Sequence, residues 1–241
     1  MLKRELYVTD DGSNSIYLPE WNEYYHSKKG AVQEALHVFL DMGMHVACEL
    51  ARSRATQQFM QSDSEVRKRN PENPTVSILE YGLGTGLNAF LTAQHAPEDV
   101  HINYTAVEAY PVTVDEIKMV DYGNKLGDNA LYMRMHELAW ESPQSLTDGF
   151  TITKLEQKFQ QIDAKEEHDV IYYDVFGPRV QPDLWSIEMI QAAYDALKKD
   201  GVLVTYCAAG FVRRNMIAAG FTVERLPGPP GKREMLRGRK D

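Results

Sequence analysis

Three short stretches of this sequence bring together residue types that can do chemistry. The first is Glu80-Tyr81-Gly82-Leu83-Gly84-Thr85-Gly86-Leu87-Asn88. The second is Glu108, at the end of the run INYTAV. The third is Tyr172-Tyr173-Asp174-Val175-Phe176-Gly177-Pro178, with Trp185 shortly after it. Glycines this closely spaced let a chain turn sharply and leave room for a ligand, because a Cβ would collide with it or force unfavourable dihedrals. The loop directly follows the apolar run VSIL and directly precedes an apolar helical pattern. Open α/β sheets bind ligands at strand-to-helix turns of this kind, where the first amides of the helix lack partners of their own and face the ligand.

About 20 residues beyond the loop, Glu108 occupies the strand end at which a carboxylate accepts hydrogen bonds from both hydroxyls of a ribose. Taken singly, the glycines make a tight turn and Glu108 is a solvated strand end; in register, they specify a nucleoside-containing cofactor. Nicotinamide and flavin cofactors also use such loops, but a dinucleotide fingerprint reads G-x-G-x-x-G, whereas this one is G-x-G-x-G with Glu80 before it. An acidic residue there suits the positively charged methionine portion of S-adenosylmethionine and repels a pyrophosphate. The cofactor-side candidates are therefore Glu80, Gly82, Gly84, Gly86, Asn88 and Glu108.

On the other side, Asp174 is the candidate catalytic residue, able to orient an incoming amine or take its proton. Phe176 and Trp185 offer flat apolar surfaces for a base, although Trp185 reads equally well as packing for the helix SIEMIQAAYDALKK. His26, His37, His45 and His136 are solitary and receive no catalytic role. Cys48 and Cys207 lie far apart with no ligand at metal spacing beside them, which disfavours a disulfide and a structural zinc. Lys232, Arg233, Arg237, Arg239 and Lys240, with Arg213-Arg214, are either solvated faces or contacts to an RNA backbone.

These groups need a scaffold to hold them. The 241 residues, 43% hydrophobic, suit one domain with a single substantial core. Residues 1–74 read as an N-terminal flap and helical cap packed on a core of residues 75–241. The flap is a hairpin and loop through Tyr24 and Tyr25, and two helices between Ala31 and Met60 are broken at Gly43. A polar loop then spans Gln61 to Thr75, and the first core strand begins at Val76. After it, strand-like and helix-like segments alternate, with a turn-rich stretch between INYTAVEA and DVIYYDVF, and the chain closes on an antiparallel edge hairpin. The fold class is α/β: a Rossmann-like, doubly wound, mainly parallel sheet of the S-adenosylmethionine-dependent methyltransferase type. A net charge of −9 excludes a general coat of phosphate-binding groups. No secretory signal and no run near the roughly 20 apolar residues of a membrane span is present, which implies a cytoplasmic protein without a membrane partner.

With these motifs in view, the chain resembles the methyltransferase part of the MnmC family, in its stand-alone MnmD form. The resemblance covers most of the chain and rests on YYHSKKGAVQEALHVFL, LEYGLGTGLNAF, VEAYP, DVFGPRVQPDLW, AAGFVRRNMIAAGF and KREMLRG; EYGLGTG alone would indicate only a methyltransferase. It implies S-adenosylmethionine as cofactor, tRNA as partner, and conversion of 5-aminomethyl-2-thiouridine to its methylaminomethyl form at the wobble position. The family's cofactor site falls on Glu80, Gly82, Gly84, Gly86 and Glu108, its acidic pocket residue on Asp174, and its substrate-side turn on Phe176, Pro178 and Trp185. Arg213, Lys232 and Arg233 are the expected tRNA contacts. Gly177 and Val180-Gln181 depart from the family's usual turn. No flavin-dependent oxidase segment follows KREML, so neither FAD nor a metal is expected, and no sequence feature sets the oligomeric state. The competing readings are an aminopropyltransferase resembling spermidine synthase, which should show more carboxylates than stand near Asp174, a small-molecule amine methyltransferase, and an RNA-binding module on a degenerate fold, against which the intact Glu80, glycine loop and Glu108 argue.

Overall fold

In the computed structural model, which describes residues 3–61 and 73–241, the chain opens on a small antiparallel sheet of β1 (Glu5–Val8), β2 (Asn14–Leu18) and β3 (Glu23–Tyr24). This is the expected flap, with a third short strand added. A single helical rod follows: α1 (Ala31–Ala35), a π-helical stretch (Leu36–Met44) and α2 (His45–Gln61). The expected break at Gly43 does not occur. A Cβ on Gly43 would lie 3.0 Å from a Val204 methyl and 3.2 Å from the Tyr172 ring, so the glycine marks where the rod presses onto the sheet. Sequence alone does not separate these uses, since glycine weakens a helix by about 1 kcal/mol whether or not it ends one. Most of the loop expected at 61–75 lies outside the described residues.

The main sheet has eight strands in the order β10-β11-β9-β8-β4-β5-β7-β6. Its members are β4 (Thr75–Tyr81), β5 (His101–Val107), β6 (Gln144–Thr147), β7 (Phe150–Leu155), β8 (His168–Tyr173), β9 (Leu197–Thr205), β10 (Thr222–Pro227) and β11 (Glu234–Arg239). Neighbours from β9 to β7 pair in parallel. β6 is antiparallel to β7, and the hairpin β10–β11 attaches antiparallel to β9, as the sequence implied. Every residue of β8 is buried, the near-continuous apolar pattern of a strand covered on both faces. Its alternate residues serve two cores. Val170 and Tyr172 pack with Val38, Phe39 and Met44 of the rod, while Ile171 and Tyr173 pack with α7 (Ile187–Ala196) and α8 (Gly210–Ala218).

The stretch expected to be turn-rich instead holds α4 (Val114–Val120), α5 (Tyr122–Lys125), α6 (Asn129–Glu137) and the hairpin β6–β7. Its helices are short and mostly polar, so their periodicity is faint. Their start signals are clearer: Thr113 and Glu116 form a capping box, and Asp128 caps α6. Among the described residues no helix is long and apolar enough to cross a membrane.

From β4 the chain passes to β5 on one side, and later to β8 on the other. The switch point between β4 and β8 opens a crevice at the carboxyl ends of the strands, the place where such sheets bind ligands. The close approach of the rod implies that Gly43→Val will lower stability by about 1–3 kcal/mol through overpacking, measurable by urea unfolding; an unchanged midpoint would mean the rod is not seated as described.

Candidate active site

All three sequence stretches converge on this crevice, a cavity of about 720 Å³. After β4 the loop folds across the end of β5, with the Gly82 and Leu83 amides donating to the Val107 carbonyl at 3.0 and 3.2 Å. Gly82 has φ +97°, and a Cβ there would stand 2.8 Å from the Asp174 carbonyl oxygen; only glycine lets the ends of β4 and β8 come this close. Gly84 has φ +52° and lies under the Tyr25 ring. Both glycines line the cavity. Gly86 does not: a Cβ there would strike Met135 and His136 of α6, so it serves helix packing and not the ligand space the sequence suggested.

Glu108 is fixed by its surroundings, accepting from the Gly84 amide at 3.0 Å and the Tyr110 amide at 2.9 Å. Each carboxylate oxygen keeps a further lone pair, so the group remains free to take two hydroxyls from the cavity side.

Beneath the cavity, Asn88 in the first turn of α3 (Leu87–Gln94) uses both protons of its side-chain amide. One goes to Glu80 at 3.0 Å and the other to Asp174 at 2.8 Å. Glu80 is fully buried and forms no part of the cavity wall; it meets the site only through Asn88. Its own burial, and then the Asp174 charge, hold its pKa well above the usual carboxylate range against the Asn88 hydrogen bond. Asp174 faces the cavity, half-buried. Desolvation first, and then the Glu34 charge, push its pKa up to about 7, opposed by the Asn88 hydrogen bond and by Lys232. A carboxyl that titrates near neutrality can both accept and return a proton under ordinary conditions.

The side of the cavity around Phe176 is aromatic. Phe176 stands edge-on to Trp21 and Tyr25, with ring centroids 5.6 and 5.2 Å away, and Tyr206 closes the wall while its hydroxyl holds the Val175 carbonyl at 2.9 Å. The flap spans the opening and is tied at both sides. Arg4 reaches Glu116 and the Tyr110 carbonyl, and Arg179 reaches Glu23 and the carbonyls of Trp21 and Asn22. The sequence reading missed these flap aromatics as site residues; the density of Tyr and Trp between Tyr17 and Tyr25 was the available signal. It also missed Glu34, which lies within the stretch YYHSKKGAVQEALHVFL but was given no role of its own.

Several sequence candidates stand elsewhere. Trp185 is fully buried, donating to the Phe176 carbonyl at 2.8 Å and packing against Tyr173 and Tyr206; it supports Phe176 from behind instead of touching a ligand. Pro178, Arg213 and Arg233 are not on the cavity wall. The C-terminal cations do not form one open patch: Arg237 pairs with Glu224, Arg239 with Asp200, and Lys240 with Glu166, while Lys232 turns inward to Glu34 at 2.5 Å. His26, given no role, lines the cavity, and burial pulls its pKa down to about 4, which leaves it neutral.

Residues 133–241 match the profile of a family described as S-adenosyl-L-methionine-dependent methyltransferase. The tRNA 5-methylaminomethyl-2-thiouridine biosynthesis bifunctional protein MnmC of Ectopseudomonas mendocina (strain ymp) is 28% identical over 236 residues, which is 90% of this chain and 32% of that protein. The protein of the same name from Delftia acidovorans (strain DSM 14801 / SPH-1) is 31% identical over 238 residues, 91% of this chain and 33% of the relative. The chain thus spans about a third of the length of these relatives. Among solved structures, MNMC2 from Aquifex aeolicus superposes with a TM-score of 0.71 at 17% identity, over 99% of this chain and 70% of that one. Spermidine synthase from Thermotoga maritima superposes with a TM-score of 0.56 at 16% identity, over 100% and 69%. The chain is similar to MnmC over nine-tenths of its own length, and it shares its fold with MNMC2 and spermidine synthase.

The raised pKa of Asp174 has a consequence for stability. Its contribution is fully present below the unfolded value of 3.8 and is lost as pH rises to about 7, because over that window the fold keeps a proton that the unfolded chain releases. Asp174→Asn cannot ionise, so it is expected to be more stable than the wild type at pH 8 by about 2–4 kcal/mol, with the gap closing toward pH 4. Thermal unfolding of the ligand-free protein at both pH values measures this, and an equal gap at both would mean that Asp174 ionises in the fold without cost.

Proposed function

We propose that this MnmC homologue transfers a methyl group from S-adenosylmethionine to the aminomethyl nitrogen of 5-aminomethyl-2-thiouridine at the wobble position of tRNA. One observation carries the reading. Glu108, a carboxylate fixed by two backbone amides with lone pairs to spare, and Asp174, a carboxyl that titrates near neutrality, open into one cavity whose far wall is aromatic. The residues fit the cofactor: Glu108 has spare lone pairs for two hydroxyls, and the Gly82 and Gly84 turn leaves backbone without side chains against the ligand space. S-adenosylmethionine, when bound, supplies an electrophilic methyl on a sulfonium.

The protein's part is positional and protolytic. An ammonium has no lone pair, so the acceptor amine must lose a proton before it attacks. Ionised Asp174 is placed to hold that amine and take the proton, and Asn88 keeps the carboxylate turned toward the cavity. Trp21, Tyr25 and Phe176 offer apolar faces and edges to a base swung out of its stack, and the flap excludes competing water. Alignment of the amine behind the methyl carbon supplies most of the acceleration in such an in-line displacement.

An aminopropyl acceptor site was set aside on the sequence for lack of carboxylates near Asp174. Glu34 and Glu80 now stand close to it, so that ground no longer holds. Neither lines the cavity, however: Glu34 is paired with Lys232 behind the wall and Glu80 is buried beneath Asn88, which leaves Asp174 to receive a single amine instead of a chain of them.

The test is to incubate the purified chain with S-adenosylmethionine and tRNA bearing 5-aminomethyl-2-thiouridine, digest the RNA and weigh the nucleosides. One added methyl on that nucleoside is expected, with the single-turnover rate falling about 10²–10⁴-fold in Asp174→Asn. Methylation of a polyamine in place of the nucleoside, or full activity in Asp174→Asn, would contradict the reading.

A further inference from the structure

Lys232 sits in the loop between β10 and β11, far in sequence from the cavity. The loop folds back over the start of the helical rod, with Gly231 against the Lys29 side chain. From there the Lys232 ammonium reaches Glu34 of α1 at 2.5 Å and lies 4.0 Å over the Tyr206 ring. Tyr206 is itself a wall of the cavity, and its hydroxyl holds the carbonyl of Val175, next to Asp174. The ion pair is thus built into the back of the acceptor wall. It is mostly dehydrated, with side chains 30% and 10% exposed. Pairs taken out of water this far rarely add stability over an apolar replacement, so packing alone gives no reason for it.

We infer that Glu34 and Lys232 are positioning residues that set the ionisation of Asp174, one from the N-terminal helix and one from the C-terminal hairpin. The inference rests on the proposed role of Asp174 as acceptor of the amine proton. The groups around Asp174 are few. Glu34 comes from α1, Glu80 from β4, Lys232 from the hairpin loop, and the phenols of Tyr104 and Tyr206 from β5 and the end of β9, with Glu108 farther off beside Glu80. Asn88, from α3, is neutral. Burial holds both phenols well above their ordinary range, so they carry no charge. Lys232 is the single cation in this set. Without it, burial and the unbalanced Glu34 carboxylate would hold Asp174 protonated and deny the amine a base. Without Glu34, the unbalanced ammonium would hold Asp174 ionised and make it a weak one. Together they keep the carboxyl between these limits, and they make the two ends of the chain part of one site.

The test reads Asp174 directly in the full chain, by carboxyl ¹³C NMR titration in the absence of RNA, with the signal assigned by its loss in Asp174→Asn. Lys232→Gln is expected to move the Asp174 midpoint up by about one pH unit and Glu34→Gln to move it down by about as much, while Lys232→Arg restores the wild-type midpoint. The acidic limb of the single-turnover methylation rate is expected to shift in the same directions. Unmoved midpoints in folded Lys232→Gln and Glu34→Gln would overturn the inference. If Glu34→Gln does not fold, the contrast of Lys232→Gln with Lys232→Arg decides alone. Midpoints that move while no methyl reaches the nucleoside would leave this electrostatic arrangement standing and reject the proposed acceptor.

Discussion

Glu80 and Asp174 each accept one proton from the Asn88 amide, and this shared donor ties the ends of β4 and β8 to the first turn of α3. An amide nitrogen has two protons to give, and here both go to carboxyls, so the orientation of Asn88 is fixed by its neighbours. Burial is the first cause that keeps Glu80 well above the usual range and brings Asp174 near neutrality, with the Asp174 charge acting second on Glu80 and the Glu34 charge second on Asp174. The glycine at 82 belongs to the same constraint, since the ends of the two strands meet only where no Cβ intervenes.

Around that bridge the rest of the molecule supplies shape. The helical rod bears on the sheet at Gly43, directly over Tyr172, and so brings Glu34 to the back of the cavity. The flap, tied by Arg4 to Glu116 on one side and by Arg179 to the Trp21 carbonyl on the other, completes a wall that the sheet alone leaves open. Trp185 works from the opposite core, holding the turn that presents Phe176. The N-terminal segment and the sheet share one packed cluster, so displacement of the flap would be felt by the rod and, through it, by the acceptor wall.

Much of this was legible before any coordinates. Strong periodicity and the strand-loop-helix order around Gly82 revealed the parallel sheet, the crevice and the residues Glu108 and Asp174. The chain between Val107 and His168 was not legible, because its helices are short and polar and draw their stability from caps and from packing on Phe90 and Tyr122. Gly43 misled because a glycine needed for close approach looks the same as one that ends a helix. Glu80 was placed at the right strand end and Trp185 in the turn beyond β8, yet sequence does not say which way such a side chain points. Glu34 and Lys232 are 198 positions apart, and only the folding of the C-terminal hairpin over the rod makes them neighbours. Charge counted along a sequence also does not reveal the acidic partners that Arg237, Arg239 and Lys240 find in space.

The central claim is that the crevice between the glycine loop and Asp174 holds S-adenosylmethionine through Glu108. Calorimetric titration of the cofactor into the wild-type chain and into Glu108→Ala, without RNA, tests it most directly. The account expects one molecule bound per chain, with affinity reduced at least about tenfold in the variant, as loss of hydrogen bonds to a charged acceptor worth about 1.5–3 kcal/mol implies. No binding to the wild type, or equal binding to both proteins, would contradict it.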